Sequence, residues 1–382
     1  MSFMSDEILE QPDIVARLAA DPAPYRAAVA GAKAAGVRFV LYAARGTSDN
    51  AAVYGKYLAT IHAGLPAGLA VPSSATVYDT PIDLRECLVV GISQSGETPD
   101  VAEYVAHARR AGAHTIAVTN DDDSLLARQA DTVLATHAGR ERAVAATKTY
   151  TSQLAVLALF WAAWCDDDRL LGALRGDLPE AMRAALSLDA EIAEVAQWLR
   201  VSERLLVSAR GYNFATALEA ALKLKETSYI AAMPYSAADL MHGPIAIVEP
   251  GYPALLFSIS GRTLPAMRQL EHDLLARGAE LVVVEDRGET ADGGDDVGVG
   301  ISGVDGASSL DERRQRGGGS AGAAQRVNGA RRRGLLVPRI TPEPVSPLVA
   351  IVPGQLLALH LAEARGFDPD KPRGLNKVTR TL

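Results

Sequence analysis

Cysteine and aromatic residues are scarce in this chain. Among 382 residues only Cys87 and Cys165 are cysteines, and Phe, Trp and Tyr together make 5%. One thiol falls in an apolar run and the other at the end of an apolar helix, which argues against a disulfide framework and for a reducing compartment. A surplus of basic charge is missing too: the net charge is −8. Affinity for a phosphate backbone depends on clustered Lys and Arg, so nucleic acid is not the expected partner. An anionic small molecule must be captured by local dipoles against a mildly unfavourable global field. The apolar stretch at 152–165 is too short to span a bilayer and reads as a buried helix. Residues 1–13 are polar and acidic, unlike a signal peptide. No spacing of His, Cys and carboxylates suggests a metal site. The expectation is a cytoplasmic protein with no membrane, metal or cofactor. At 48% hydrophobic and 22% charged, the chain has room for two cores, with alanine-rich helices carrying much of the packing.

The most informative stretch is Ser93-Gln94-Ser95-Gly96-Glu97-Thr98, between the apolar run at 87–92 and the helical pattern that opens at Pro99. A buried strand that breaks into hydroxyl residues and a glycine, then opens a helix, makes an anion site from unpaired N–H groups and side-chain donors. Gly96 lets the backbone approach a ligand, and Glu97 and Pro99 suit a helix start. There is no P-loop lysine, so a small phosphorylated metabolite fits better than a nucleoside triphosphate. Taken alone, the stretch also reads as an ordinary strand-to-helix turn.

The surrounding chain repeats itself. Gly46 falls on Gly211, Ser93 on Ser260 and Gly112 on Gly278, at offsets of 165, 167 and 166. Each unit reads strand, glycine turn, long helix, strand, turn, helix, strand, and the strands are continuous Val/Ile/Leu-rich runs. Two tandem α/β domains with doubly wound parallel sheets follow, with ligands at the carboxyl ends of the strands. The organisation expected is a helical segment at 1–30, a first domain at 31–165, a helical linker at 166–195 and a second domain at 196–285. A low-complexity insertion at 286–339 and a closing helix with tail at 340–382 complete it. The insertion is rich in Gly, Arg and Asp and is expected to be unstructured; a genuine insertion and a local reading-frame change give the same text. Its Gly298-Val299-Gly300-Ile301-Ser302-Gly303 matches a dinucleotide fingerprint, but no strand precedes it and no amphipathic helix follows, so the match is rejected.

Four places concentrate polar chemistry. Gly46-Thr47-Ser48 forms a second hydroxyl-bearing turn, whose donors join Ser93, Gln94, Ser95 and Thr98; Ser48 is equally a helix N-cap. Lys223 and Glu226 are three apart on a largely apolar helix and share a face, with Glu219 two turns before Glu226. A desolvated Glu there can shuttle a proton near neutrality; a solvated, salt-bridged face is the alternative. His242, between Met241 and Gly243-Pro244, sits on a turn free to face a cleft, with a pKa suited to acid–base work. Lys377 lies where fraying is the default, but Leu375, Val378 and Pro372 suggest a docked tail whose lysine can form a Schiff base or polarise a carbonyl.

With these residues in view, the chain resembles the sugar isomerase (SIS) domain family, in particular the isomerase half of glutamine–fructose-6-phosphate aminotransferase. The matching stretches are RGTS, SQSGET, AVAATKTYTSQL, ALEAALKLKETSYI, HGPIAIV and DKPRGLNKVT. The resemblance implies a flavodoxin-like sheet in each domain and a sugar phosphate held by the SQSGET and GTS turns. It assigns proton transfer between C1 and C2 to Glu226 with support from Lys223, ring opening to His242, and the substrate carbonyl or imine to Lys377. Val144 and Ala145 would line the pocket. It also implies a homodimer in which the partner subunit supplies the histidine.

Three departures matter. Ser2 stands where the aminotransferase has its glutamine-hydrolysing cysteine, so no glutaminase half is expected. Ala146 replaces a serine, and the tail reads LNK, as in the stand-alone deaminases and deglycases. The expected activity is deamination of glucosamine 6-phosphate to fructose 6-phosphate and ammonia. A fructosamine-phosphate deglycase, a galactosamine-6-phosphate deaminase and an ammonia-dependent synthase are near alternatives. A non-catalytic sugar-phosphate sensor would need the phosphate turns but not Glu226, His242 and Lys377 together.

Overall fold

The computed structural model describes residues 2–286, 325–327 and 330–377. The first sheet is formed by β1 (Phe39–Ala43), β2 (Ala67–Leu69), β3 (Cys87–Ser93), β4 (His114–Thr119) and β5 (Thr132–Ala135). Its order is β2-β1-β3-β4-β5, and every pairing is parallel. All seven residues of β3 are buried. Helices cover both its faces, which is why it reads as an unbroken apolar run rather than an alternating one.

The second sheet repeats the plan with β6 (Arg204–Ala209), β7 (Ala231–Ser236), β8 (Pro253–Ser258), β9 (Glu280–Asp286), β10 (Gln325–Val327) and β11 (Ala330–Val337). Read from β7, its order is β7-β6-β8-β9-β11-β10. Five strands are parallel and β10 adds an antiparallel edge. The two tandem parallel-sheet domains expected from the repeat are therefore present. The expectation of an unstructured 286–339 is corrected at both ends. Asp286 closes β9, and Ala330–Val337 is a strand whose Leu335 and Val337 are buried. The apolar alternation there was masked by the arginines Arg331, Arg332 and Arg333. Residues 287–324, with the rejected glycine fingerprint, lie outside the described residues.

One continuous core runs through both domains. The Lys148–Trp164 helix, buried on nearly every residue, packs against the Phe3–Ala20, Ala23–Ala34 and Thr47–Tyr57 helices. The Ser346–Ala364 helix packs along the Phe214–Ser228 helix. A Cβ added at Gly354 would lie 3.0 Å from the Ala220 Cβ, so the glycine sets how closely these two helices approach. Residues 343–364 are long and apolar enough to cross a membrane, yet an apolar stretch of 18 residues within them is 94% buried inside the protein.

Candidate functional site

The sheet order reverses direction between β1 and β3, the point where a doubly wound sheet opens a crevice at the carboxyl ends of its strands. The two helices that follow leave on opposite faces. Thr47–Tyr57 packs on Lys148–Trp164 and Phe214–Ser228, while Pro99–Arg110 packs with Leu125–Gln129. A cavity of about 430 Å³ fills the crevice. Neither helix is capped by a side chain, so the positive ends of both face it. Ser48 is not the cap its sequence position allowed: Gly46 holds that place, and the Ser48 hydroxyl accepts from Gln153 Nε2 at 3.0 Å.

The SQSGET turn is held by its own side chains. Ser93 Oγ lies 2.9 Å from Thr98 Oγ1 and accepts from the Gly96 N–H at 3.2 Å. Ser95 Oγ accepts from the Glu97 N–H, and Glu97 in turn accepts from the Leu125 N–H at 3.0 Å. Gly96 adopts φ +66°, and a Cβ there would sit 2.0 Å from Ser124 Oγ. Only glycine makes this turn. Ser93, Gln94, Ser95, Thr98, Thr47 and Ser48 all line the cavity.

The repeated turn in the second domain gives its donors to internal carboxylates. Asp286 Oδ1 accepts from both the Ser260 N–H, at 3.0 Å, and the Ser260 hydroxyl, at 2.8 Å. Glu343 accepts from the Arg262 N–H at 3.1 Å and fills the space above Gly261. Among the described residues two internal carboxylates therefore take up donors of this second turn, which borders a cavity of about 420 Å³ lined also by Glu271, Glu285 and Arg332.

Opposite the first turn stands the Phe214–Ser228 helix, which carries Glu219, Lys223 and Glu226 on one face. Lys223, 1% exposed, donates to Glu226 Oε2 and, at 3.1 Å, to Thr47 Oγ1; its Nζ is 3.5 Å from Glu219 Oε1. Fully buried Glu219 accepts from Thr47 Oγ1 at 3.0 Å and Asn50 Nδ2 at 2.7 Å. Burial pushes the Glu219 carboxyl up to about 7 with a further push from Glu226, against the pull of Lys223, Asn50 and Thr47. Burial works against the Lys223 ammonium, but the flanking Glu219 and Glu226 carboxylates outweigh it and raise its pKa, keeping it charged. Glu226 is the member of this cluster that reaches the cavity as a partly exposed carboxylate.

Lys377 closes the far side. Its Nζ donates to Glu141 Oε2 and to the Ala143 carbonyl, both at 2.7 Å. Glu141 is wholly buried and also accepts from the Thr147 and Thr149 N–H groups and the Thr149 hydroxyl. Burial would raise its pKa, but Lys377 and these hydrogen bonds prevail and hold it below the usual carboxylate range. The tail docks: Asp370 accepts from the Phe3 and Met4 N–H groups at 2.8 Å, and the Arg373 N–H donates to Tyr229 Oη at 2.7 Å.

Two sequence expectations shift here. Val144 lines the cavity, but the second loop residue that does so is Ala146; Ala145 points into the core and is 1% exposed. His242 follows the Ala237–Met241 helix beyond β7, exposed to solvent, and lines no part of this chain's cavity. Sequence reasoning did not assign Arg45, Asn50, Asp100 or Glu141. Asn50 was discernible, three residues after Thr47 on the same helix face; Glu141 carried no local signal.

Residues 36–163 and 198–291 match the SIS domain model. The chain belongs to the SIS domain family. It is 36% identical over 389 residues to the glutamine–fructose-6-phosphate aminotransferase (isomerizing) of Aeropyrum pernix, with 98% of the chain and 57% of that protein covered. The Thermococcus kodakarensis enzyme of the same name is 35% identical over 350 residues, covering 88% of the chain and 51% of that protein. The chain thus spans little more than half the length of these curated relatives. Among solved structures, the C-terminal domain of glucosamine-fructose-6-phosphate aminotransferase from Francisella tularensis superposes with a TM-score of 0.80 at 26% identity, covering 97% of this chain and 98% of that one. The glucosamine-6-phosphate deaminase of Thermotoga maritima shares the fold, with a TM-score of 0.69 at 20% identity over the whole of both chains. These relationships make this SIS protein a relative of sugar-phosphate isomerases and of aminotransferase isomerase domains.

Proposed function

We propose that this SIS protein is an aldose–ketose isomerase of amino-sugar phosphates that acts as a glucosamine-6-phosphate deaminase. The observation that supports it most is the single cavity shared by the Ser93–Thr98 turn, the Lys223–Glu226 pair and Lys377. In this reading the phosphate sits on the two turns, where helix dipoles and hydroxyls supply charge-assisted hydrogen bonds. The opened sugar then extends toward Glu226. Glu226 removes the C2 proton and returns it to C1 while a proton passes from the amine nitrogen to O1, which converts the C1 aldehyde and C2 amine to a C1 alcohol and a C2 imine. Water adds to the imine carbon and ammonia leaves, giving fructose 6-phosphate. Lys223, held charged between two carboxylates, orients Glu226, and Lys377 polarises the substrate's carbonyl or imine. His242 is exposed on the second domain, and its role here is ring opening in the cavity of a second copy of the chain.

The reverse direction uses the same residues, and the similarity to the aminotransferases favours it as the second reading: ammonia condenses with fructose 6-phosphate and the proton moves from C1 to C2. Ammonia release from a panel of amino-sugar phosphates, measured beside ammonia-dependent consumption of fructose 6-phosphate, separates the two. Glu226→Gln keeps shape but not basicity, and kcat is expected to fall on the order of 10²–10⁴-fold with substrate still bound. Solvent deuterium entering C2 of glucosamine 6-phosphate in that variant at the wild-type rate would move the base to Glu219.

A further inference from the structure

Arg45 lines the same cavity, and neither the hydroxyl turns nor the proton-transfer cluster uses it. It ends the segment after β1, directly before Gly46. Its Nη2 lies 2.7 Å from Asp100 Oδ2, and its Nη1 donates to the Ala44 carbonyl at 3.2 Å. The pair is lopsided: the Arg45 side chain is 48% exposed and that of Asp100 only 5%. Asp100 is the second residue of the Pro99–Arg110 helix, so the ion pair bridges the two anion-binding turns. Its other oxygen, Oδ1, is buried without a hydrogen-bond partner.

A buried carboxylate beside a phosphate site opposes the ligand unless a cation offsets it. The other cations lining the cavity are less free to turn: Lys223 is 1% exposed between Glu219 and Glu226, and Lys377 is 25% exposed on fully buried Glu141. The Arg45 guanidinium is itself half-exposed, and beyond the N–H groups it gives to Asp100 and the Ala44 carbonyl it has donors left to meet a ligand without leaving the buried carboxylate. A guanidinium presents a fork of N–H donors that matches two phosphate oxygens at once.

We propose that Arg45 is the cationic phosphate ligand of this site, resting on Asp100 when the cavity is empty and turning its free N–H groups to a phosphomonoester dianion when one enters. Asp100 keeps its hold on the guanidinium as the positioning residue, while its own charge, buried beside the site, opposes the phosphate. The assignment rests on the sugar-phosphate reading above but needs no turnover to be tested.

Calorimetry with inorganic phosphate as the probe tests it in the full chain, on wild type, Arg45→Ala, Arg45→Lys and Asp100→Asn, with glucosamine 6-phosphate and unphosphorylated glucosamine as second and third ligands. Arg45→Ala is expected to weaken phosphate binding about 10- to 100-fold, Arg45→Lys to restore part of it, and Asp100→Asn to tighten it several-fold. With glucosamine 6-phosphate turning over, the Arg45→Ala loss should fall in KM rather than kcat, and binding of glucosamine should not move. Unchanged phosphate affinity in Arg45→Ala, weaker affinity in Asp100→Asn, or no phosphate binding by wild type at tens of millimolar would each overturn the assignment. Phosphate binding that follows this order without ammonia release would overturn the deaminase reading and leave Arg45 in place.

Discussion

Replacing Glu219 with Gln perturbs the buried cluster without emptying it. Glu219 is sealed from water, touches Thr47 and Asn50, and has a carboxyl pushed from its ordinary 4.5 to about 7, first by burial and then by Glu226. Between those pH values the folded protein holds a proton that the unfolded chain has released. The stability this proton supplies is complete below pH 4.5 and is lost as the pH climbs through 7. A displacement of this size corresponds to about 3 kcal/mol. Gln fills the same volume, offers an oxygen to Asn50, and does not titrate. Its amide hydrogens add a fixed cost against the donors of Thr47 and Lys223, and a pH series subtracts that cost out. Urea unfolding from pH 4.5 to 8 should therefore show the variant gaining on wild type by up to about 3 kcal/mol across the range. Parallel pH curves for the two proteins would refute the reasoning, because Glu219 would then be ionised throughout as a plain partner of Lys223 at 3.5 Å.

Other perturbations separate binding from chemistry. Ser93→Ala removes one hydroxyl from the SQSGET turn and should raise KM for glucosamine 6-phosphate about tenfold while kcat holds, by steady-state kinetics. Gly96→Ala forces a Cβ to within 2.0 Å of Ser124 Oγ at φ +66°, and the melt should register at least about 1–3 kcal/mol of lost stability together with weaker phosphate binding. Lys377→Ala leaves Glu141 buried without its cation, so both turnover and melting temperature should fall. Lys377→Arg keeps the ion pair and a cation able to polarise a carbonyl; recovered melting with part of the turnover restored is expected, and full turnover in Lys377→Ala would remove Lys377 from the chemistry.

What could be read from the amino acids alone was local or periodic. The apolar run at 87–92 followed by Ser93, Ser95 and Gly96 announces a buried strand, a turn and a helix start, because backbone geometry and side-chain donors lie within a few residues of each other. The near-constant offsets that pair Gly46 with Gly211 and Ser93 with Ser260 announce two sheets of the same build. Lys223 and Glu226 share a face by helix spacing, and no packing is needed to see it. Tertiary structure decided what depends on burial and on residues distant in sequence. Only the docking of the tail brings Lys377 to Glu141, 236 positions away. Only the meeting of the Thr47–Tyr57 and Phe214–Ser228 helices removes Glu219 from water and raises its pKa. The offset that pairs Ser93 with Ser260 cannot tell that Asp286 and Glu343 accept from the turn at Ser260, since a carboxylate becomes an internal ligand only when the chain folds back on it. His242 had the right neighbours for a catalytic turn, yet the fold directs it to solvent rather than to its own chain's cavity. Sequence spacing sets which side chains share an element. The packing of one element on another sets their dielectric surroundings and their partners, and the chemistry depends on those.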